Sequence, residues 1–393
     1  MRRAFLLITA LLCVLPLGAR RYPFIHTERN TLQFPGGKSR EFEVFSRKLD
    51  SLAVWGSGSL KVLQVGGSHV QAGIWPDRIR RNFLSLRYGI DGGRGLVFPF
   101  AAAQTGTPSS YTTTATGNWD YSRCLNPGRD MGLPGVEVTA LDTSARAAID
   151  LLPKGTQAMR HRYVFDRVTV MGYGSMRPVL LLSPKDTLRG RKEGNLWNFE
   201  LPYYRDWIQL GFEAPSGQFT LEGIYLDKSC GGFTMSEAGI NGASTRSWLG
   251  CTHWEDNLRV VAPDMVIFSI GINDIQGNDF SAKEFKERYR ELIGMVRRVN
   301  PRCAIVFSGI NDSCMRRGKA VNPHTEAVQK AFRDLAREYK AAFWDMYDIM
   351  GGYGSMALWQ EAGLAQPDRI HFTAAGYNLL GDMLFDAIYD ATR

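Results

Sequence analysis

The chain has 393 residues, 44% of them hydrophobic, which exceeds one ordinary domain and can bury a large core, so two domains are the starting expectation. With 22% charged and 11% aromatic residues, and with 41 glycines and 17 prolines scattered, disordered, collagen-like and low-complexity chains are excluded. The formal charge of +8 comes without a Lys/Arg block interleaved with aromatics, so a solvated basic surface is expected and nucleic-acid binding is not.

Met1-Arg2-Arg3 precede the apolar run Ala4 to Leu17, which is broken by Pro16 and followed by Gly18-Ala19, so residues 1–19 read as a secretory signal peptide. The run is shorter than the roughly 20 residues that a bilayer span needs. Cys13 follows Leu12 and not a small residue, which speaks against a lipoprotein anchor. Cleavage after Ala19 removes Arg2 and Arg3 and lowers the formal charge to +6. No later segment is long and apolar enough to span a membrane, so an exported protein without an integral membrane segment is expected, periplasmic or extracellular. Cys124, Cys230, Cys251, Cys303 and Cys314 remain. None lies in a Cys-x-x-Cys pair and there is no His-Glu-x-x-His, so neither a metal site nor a redox motif is expected; a Cys230–Cys251 disulfide is one pairing the sequence allows.

From Lys38 to Leu52, Phe42, Phe45, Leu49 and Leu52 recur at helical spacing; Leu60 to Val65 is a nearly continuous apolar run, the mark of a buried parallel strand. Ile74, Ile79, Phe83 and Leu86 predict a helix with Pro76 in its first turn. Between about Gln104 and Lys228 the pattern changes to short β-rich pieces separated by Gly, Pro, Asn and Asp: Tyr111 to Thr116, Val136 to Ala140, Tyr163 to Met171, Val179 to Leu182, Trp207 to Phe212 and Phe219 to Leu226. That spacing predicts a β-sandwich. From Gly231 onward βα alternation returns, with strands at Met265 to Ile270 and Ala304 to Phe307. Ser281 with Glu284 forms a capping-box pattern, Asn322-Pro323 opens a helix with Pro at its first position, and Thr373 caps a last helix. The expected organisation is a signal peptide (1–19), an α/β unit in two parts (20–104 and 231–393) and an inserted all-β sandwich (105–230).

Four places at the strand ends can carry chemistry, because open α/β sheets bind ligands beyond the carboxyl ends of their strands. The strand ending at Val65 runs into Gly66-Gly67-Ser68-His69, where two glycines allow a sharp turn and expose Ser68; a plain helix cap is the alternative. Asp368-Arg369-Ile370-His371 puts a carboxylate three residues before a histidine, close enough to accept from Nδ1–H and leave Nε2 for a serine proton; the same spacing also occurs between surface loop neighbours. Asn273, in Gly271-Ile272-Asn273-Asp274, follows an apolar strand and carries an amide able to donate to an oxyanion. Gly239-Ile240-Asn241-Gly242 offers a bare backbone N–H or a simple turn.

Taken in chain order, Ser68, Gly239–Gly242, Asn273 and Asp368–His371, the four blocks resemble the SGNH hydrolases, also called GDSL-type esterases. The resemblance implies a three-layer α/β/α, flavodoxin-like parallel sheet with an all-β insert. It implies Ser68 as nucleophile, Asp368 and His371 as its triad partners, and an oxyanion hole of Ser68 N–H, Gly242 (with Gly239 the fallback) and Asn273. The family usually has Asp before the nucleophile, where Gly67 stands here. A second Gly-Ile-Asn-Asp, Gly309 to Asp312, follows a later strand; Asn311 and Asp312 are expected to line the cleft. His69 makes the block resemble the Gly-Asp-Ser-His variant of bacterial polysaccharide and peptidoglycan O-acetylesterases, some of which carry a carbohydrate-binding β-sandwich in the same interval. His26, His161, His253 and His324 lack a carboxylate at suitable spacing and are expected to be structural or exposed. Of the aromatics in the insert, Tyr111, Trp119, Tyr121, Trp197, Tyr203, Tyr204 and Trp207 can serve the core or stack on sugars.

What the resemblance implies is therefore an exported serine esterase, free of metal or other cofactor, that removes O-acetyl groups from an acetylated polysaccharide or peptidoglycan through an acyl-enzyme. An O-acetyltransferase or lipid esterase of the same fold, and a non-catalytic glycan-binding protein, are the alternatives.

Overall fold

The computed structural model describes residues 22–126, 130–151, 163–213, 217–277, 279–315 and 320–393. The expected signal peptide, Cys13 and His161 lie outside the described residues.

Five parallel strands form the central sheet in the order Gly232–Gly239, Ser59–Gly66, Met265–Ser269, Ala304–Phe307 and Ala342–Phe343. The strands at 265–269 and 304–307 are buried at every position, as a parallel sheet covered on both faces requires. On one face lie the helices Arg40–Asp50, Ile74–Ser85 and Ala374–Ala391, joined by Phe45 against Phe83 and Phe83 against Phe385. On the other lie Ala282–Val299 and Thr325–Tyr339, joined through Phe285, Tyr289 and Phe332. The result is the expected α/β/α arrangement.

Local chemistry places the helix starts. Ser39 accepts from Phe42 N–H, and Thr373 accepts from Gly376 N–H at 3.3 Å. Ser281 accepts from Glu284 N–H at 3.3 Å, but the reciprocal half of the expected capping box is replaced by an ion pair between Glu284 and Arg288. Pro323 does not open its helix. The Asn322 side chain accepts from His324 N–H at 3.0 Å, closing a turn there, and the helix begins at Thr325.

Two antiparallel sheets occupy the middle of the chain. One joins Arg191–Glu193, Leu196–Arg205, Phe165–Gly174, Phe219–Asp227, Val136–Ala140 and Trp119–Arg123, with Gly95–Val97 also paired to Phe219–Asp227. The other joins Thr112–Thr116, Arg146–Asp150, Trp207–Glu213, Arg177–Ser183 and Asp186–Arg189. They pack face to face through Phe212, whose ring meets Trp119 at 5.7 Å and Phe219 at 5.5 Å. Of the candidate sugar-stacking aromatics, Tyr111 and Trp197 are buried, while Tyr203, Tyr204 and Trp207 are exposed.

The strand Gly232–Gly239 was not expected, because Thr234, Ser236 and Glu237 break its apolar pattern; it is buried throughout. Glu237 pairs there with the fully buried Arg80 and Arg94, so its charge is matched inside the fold. The Cys230–Cys251 disulfide is not formed: Cys230 is exposed beside Tyr204, and Cys251 is buried in the α/β unit.

Candidate active site

Three glycines let the Ser68 block sit on the sheet. A β-carbon on Gly66 would lie 2.3 Å from Val70 Cγ2, and one on Gly239 would lie 2.4 Å from the Gln71 nitrogen. The short helix Ser68–Gln71 therefore rests directly on the ends of two adjacent strands, with Ser68 at its first position and its N–H unclaimed by the helix. Gly67 makes the turn between them.

Ser68 Oγ and His371 Nε2 are 2.8 Å apart, and His371 Nδ1 and Asp368 Oδ2 are 2.6 Å apart. The other oxygen, Asp368 Oδ1, accepts from the N–H groups of Ile370 (2.9 Å) and His371 (3.0 Å). Burial opposes ionisation of Asp368, but the bond from the His371 ring and those two backbone bonds outweigh it and hold the carboxyl below its usual range. An ionised carboxylate only accepts, so Nδ1 carries the imidazole proton and Nε2 presents its lone pair to Ser68.

The loop bearing Asp368 and His371 is held from several sides. Arg369 adopts a left-handed conformation (φ +52°), unusual for a residue with a side chain, and its Nε donates to Gln360 Oε1 at 2.7 Å while its carbonyl accepts from Cys314 N–H at 3.0 Å. Asn311 Nδ2 donates to Ile370 O at 3.0 Å and to Asp312 O at 2.7 Å. Asn311 and Asp312 are 1% exposed, so they do not line the cleft as expected. Gly309 (φ +62°) turns this second Gly-Ile-Asn-Asp beneath the Asp368–His371 loop, where Asp312 accepts from Met356 N–H at 3.1 Å.

His69 is buried beside the site. Its ring centroid is 5.3 Å from that of His371, and its Nδ1 is 2.8 Å from the Tyr377 hydroxyl. Burial, with the neighbouring His371 adding to it, pushes the His69 pKa down to about 3, so this imidazole is neutral at neutral and mildly acidic pH.

An open cleft of about 750 Å³ is lined by Ser68, Gln71, Gly106, Asn241, Gly242 and His371, together with Ile74, Phe372, Tyr377 and their neighbours. Gly242 (φ +85°) stands in the wall facing Ser68, whereas Gly239 ends a buried strand beneath the helix. Leu125, from the antiparallel unit, lies beside Gly242. Asn273 adjoins Gly67, and its Nδ2 donates to Ala243 O at 2.8 Å. Asp274 anchors the same turn by accepting from Thr245 N–H and Oγ1; burial raises its pKa against those bonds. The structure thus joins Ser68, His371 and Asp368 in one hydrogen-bonded chain, puts Gly242 in their cleft and sets Asn273 against Gly67.

Sequence reading missed Gln71, whose amide contacts both cleft walls, and Tyr377, the partner of His69. Gln71 lies three residues after Ser68, one helical turn on, which is the signal that marks it. His253 has a carboxylate after all, supplied in space by buried Glu222. That pair joins the antiparallel unit to helix Trp254–Val261, and the bond and charge of Glu222 raise the His253 pKa against the effect of burial. Among the described residues no group of three or more His, Cys, Asp or Glu is placed to hold a metal ion, and no helix is long and apolar enough to cross a membrane.

Residues 224–379 match the model of the GDSL-like lipase/acylhydrolase family. The matched segment contains Gly242, Asn273, Asp368 and His371 and leaves Ser68 outside. No curated protein matches the chain. Among solved structures, one titled "Peptidoglycan O-acetylesterase in action, 5 min" is 23% identical, covers 92% of this chain and 99% of its own, and superposes with a TM-score of 0.75; at that identity the likeness speaks for the fold. A lipase/acylhydrolase from Enterococcus faecalis (19% identical, 41% of this chain and 77% of its own, TM-score 0.33) and an acetyl xylan esterase (19%, 39% and 81%, TM-score 0.32) match in part.

Proposed function

From a chain that carries a GDSL-like lipase/acylhydrolase segment within an SGNH-hydrolase fold, we propose an exported serine esterase that removes O-acetyl groups from a carbohydrate polymer, peptidoglycan first among them. The observation that carries this reading is the unbroken hydrogen-bonded chain from Ser68 through His371 to Asp368, at 2.8 and 2.6 Å, opening into the cleft. The solved structure that superposes over nearly the whole of both chains is named as a peptidoglycan O-acetylesterase, which supports the choice of polymer. The Met1–Ala19 segment, read as a leader, would deliver the enzyme to where such a polymer lies.

Ser68 Oγ attacks the ester carbonyl and its proton passes to His371 Nε2, while Asp368 holds the Nδ1–H and stabilises the imidazolium. The oxyanion faces Ser68 N–H, Gly242 N–H and the Asn273 amide, in a site where such donors contribute most because water is displaced. Collapse breaks the bond to the sugar oxygen, which takes the proton from His371 and leaves acetyl-Ser68. Water then attacks, gives a proton to His371, and acetate departs as that proton returns to Ser68.

Acetate release from O-acetylated peptidoglycan and from O-acetylated plant polysaccharides, measured for the wild type and Ser68→Ala, tests this. Loss of about 10⁴-fold or more on Ser68→Ala is expected. Turnover that survives the substitution would overturn Ser68 as the nucleophile and with it the serine-esterase reading; no acetate release by the wild type, with glycan binding retained, would leave a glycan-binding protein.

A further inference from the structure

Gln71 is 4% exposed, yet its amide reaches both walls of the cleft. Oε1 accepts from Asn241 N–H at 2.6 Å, and Nε2 donates to Gly106 O at 3.0 Å, with Thr105 Oγ1 at 3.4 Å. Its own N–H donates to Gly67 O at 3.0 Å, in the turn that carries Ser68. One side chain therefore ties together the nucleophile helix, the turn containing Gly242 and the segment entering the antiparallel sheets.

Besides the Asp274–Thr245 bonds further along, two other holds lie next to Gly242 among the described residues. Ala243 N–H donates to Ile240 O at 2.9 Å inside the turn, and Ala243 O accepts from Asn273 at 2.8 Å. Both act on Ala243, downstream of Gly242. Asn241 N–H, immediately upstream, is held by Gln71. Gly242 is in the left-handed region, where glycine has near-equal freedom on both sides of φ = 0, so the direction of its N–H depends on how the flanking peptides are held. Removing the Gln71 acceptor releases the upstream peptide while the downstream one stays fixed.

We propose that Gln71 is a positioning residue for the reaction: it aims the Gly242 N–H at the oxyanion and makes that aim depend on the placement of the Thr105–Thr107 segment. The inference rests on the esterase reading of the site. A group that orients an oxyanion donor acts on the transition state more than on the bound ester, so its loss appears in kcat. Loss of a whole donor typically costs about 100- to 1,000-fold, and a misaimed one is expected to cost about 10- to 100-fold.

The test uses the full mature chain, a soluble acetyl ester and an alkylboronic acid. Ser68 Oγ adds to boron and its proton passes to His371, giving a tetrahedral anion that reports on the oxyanion site. Gln71→Met keeps the volume and removes both bonds. The expected result is kcat down about 10- to 100-fold, KM within about threefold, and boronate affinity weakened in parallel with kcat. Gln71→Glu keeps an acceptor for Asn241 N–H and is expected to lose less. A Gln71→Met enzyme whose kcat is within threefold of wild type, or whose loss lies in KM, overturns the proposal. If Gln71→Met does not fold, Gln71→Leu, which also lacks the acceptor, takes its place: unchanged boronate affinity there overturns the proposal and weakened affinity supports it. Activity that persists in Ser68→Ala marks failure of the esterase reading itself, a different outcome.

Discussion

Asn273 Nδ2 lies 2.9 Å from the position a β-carbon on Gly67 would occupy, and Ala243 O lies 3.4 Å from it. A β-carbon on residue 67 would press on the Asn273 amide, so space makes glycine necessary there. The residue that replaces the usual acidic neighbour of the nucleophile is thus a close-approach site for an expected oxyanion donor. Gly67→Ala should push the Asn273 amide from its bond to Ala243 O and lower kcat about 10- to 100-fold, on the scale of a displaced donor. Gly67→Asp should be no better than Gly67→Ala, although it restores the family's usual residue. Steady-state kinetics on a soluble acetyl ester decide the matter; wild-type kcat in Gly67→Ala would show that Asn273 does not need this space.

Asp368 gives a second expectation. Its hydrogen bonds from the His371 ring and from the His371 and Ile370 N–H groups overcome the effect of burial and favour the carboxylate. A depressed carboxyl pKa means that the favourable contribution is present above the unfolded value and is lost as pH falls through the lower folded value. Asp368 therefore remains ionised through neutral and mildly acidic pH. Asp368→Asn retains the shape but withdraws the charge and the fixed tautomer. We expect kcat to fall about 10³- to 10⁴-fold with the fold intact, measured by kinetics beside circular dichroism. A loss under tenfold would contradict a triad.

Much of this site could be read from residue order, and the limits have a physical cause. Ser68 on a two-glycine turn and His371 three residues after Asp368 are local arrangements, set by backbone geometry within a few positions, and the helix starts at Ser39, Ser281 and Thr373 follow from their own side chains. The strand Gly232–Gly239 stayed hidden because the partners that make Glu237 tolerable inside, Arg80 and Arg94, are more than a hundred residues away. Gln71 is marked locally only by its place one helical turn after Ser68; its role exists only once Gly106 and Asn241 arrive on either side. The second Gly-Ile-Asn-Asp is as visible in sequence as the first, but only the turn at Gly309 decides that Asn311 points under the loop and not into the cleft.

That placement makes Asn311 a test of how the Asp368–His371 loop is held. Asn311→Leu keeps the branching at Cγ but leaves the carbonyls of Ile370 and Asp312 without their donor in a buried setting. The cost is expected to be about 1–3 kcal/mol in urea unfolding. Because Ile370 adjoins His371, kcat should fall as well, while Ser68→Ala in the same background should be no less stable than Asn311→Leu alone. Full stability in Asn311→Leu would mean that Cys314 N–H and Gln360 hold the loop without it.

His69 gives an expectation for stability and not for rate. Its folded pKa of about 3 lies below the roughly 6.5 of a free imidazole. His371 and Tyr377 face it from the two flanking elements, and the nearby Asp368 charge only partly offsets the effect of burial. Between these two values the unfolded chain binds a proton that the folded chain refuses, so stability falls as pH drops from about 6.5 toward about 3, with a limiting slope of about 1.4 kcal/mol per pH unit. Above pH 6.5 the group contributes no slope. His69→Phe fills the space without a titrating group, so its unfolding free energy should vary less steeply with pH over that window, from a baseline lowered by loss of the bond to Tyr377. Urea denaturation of both proteins at pH 7.5, 6.0, 5.0 and 4.5 measures the difference in slope. Parallel curves would mean that His69 accepts its proton inside the fold, and that the imidazole beside His371 is charged in the acid range.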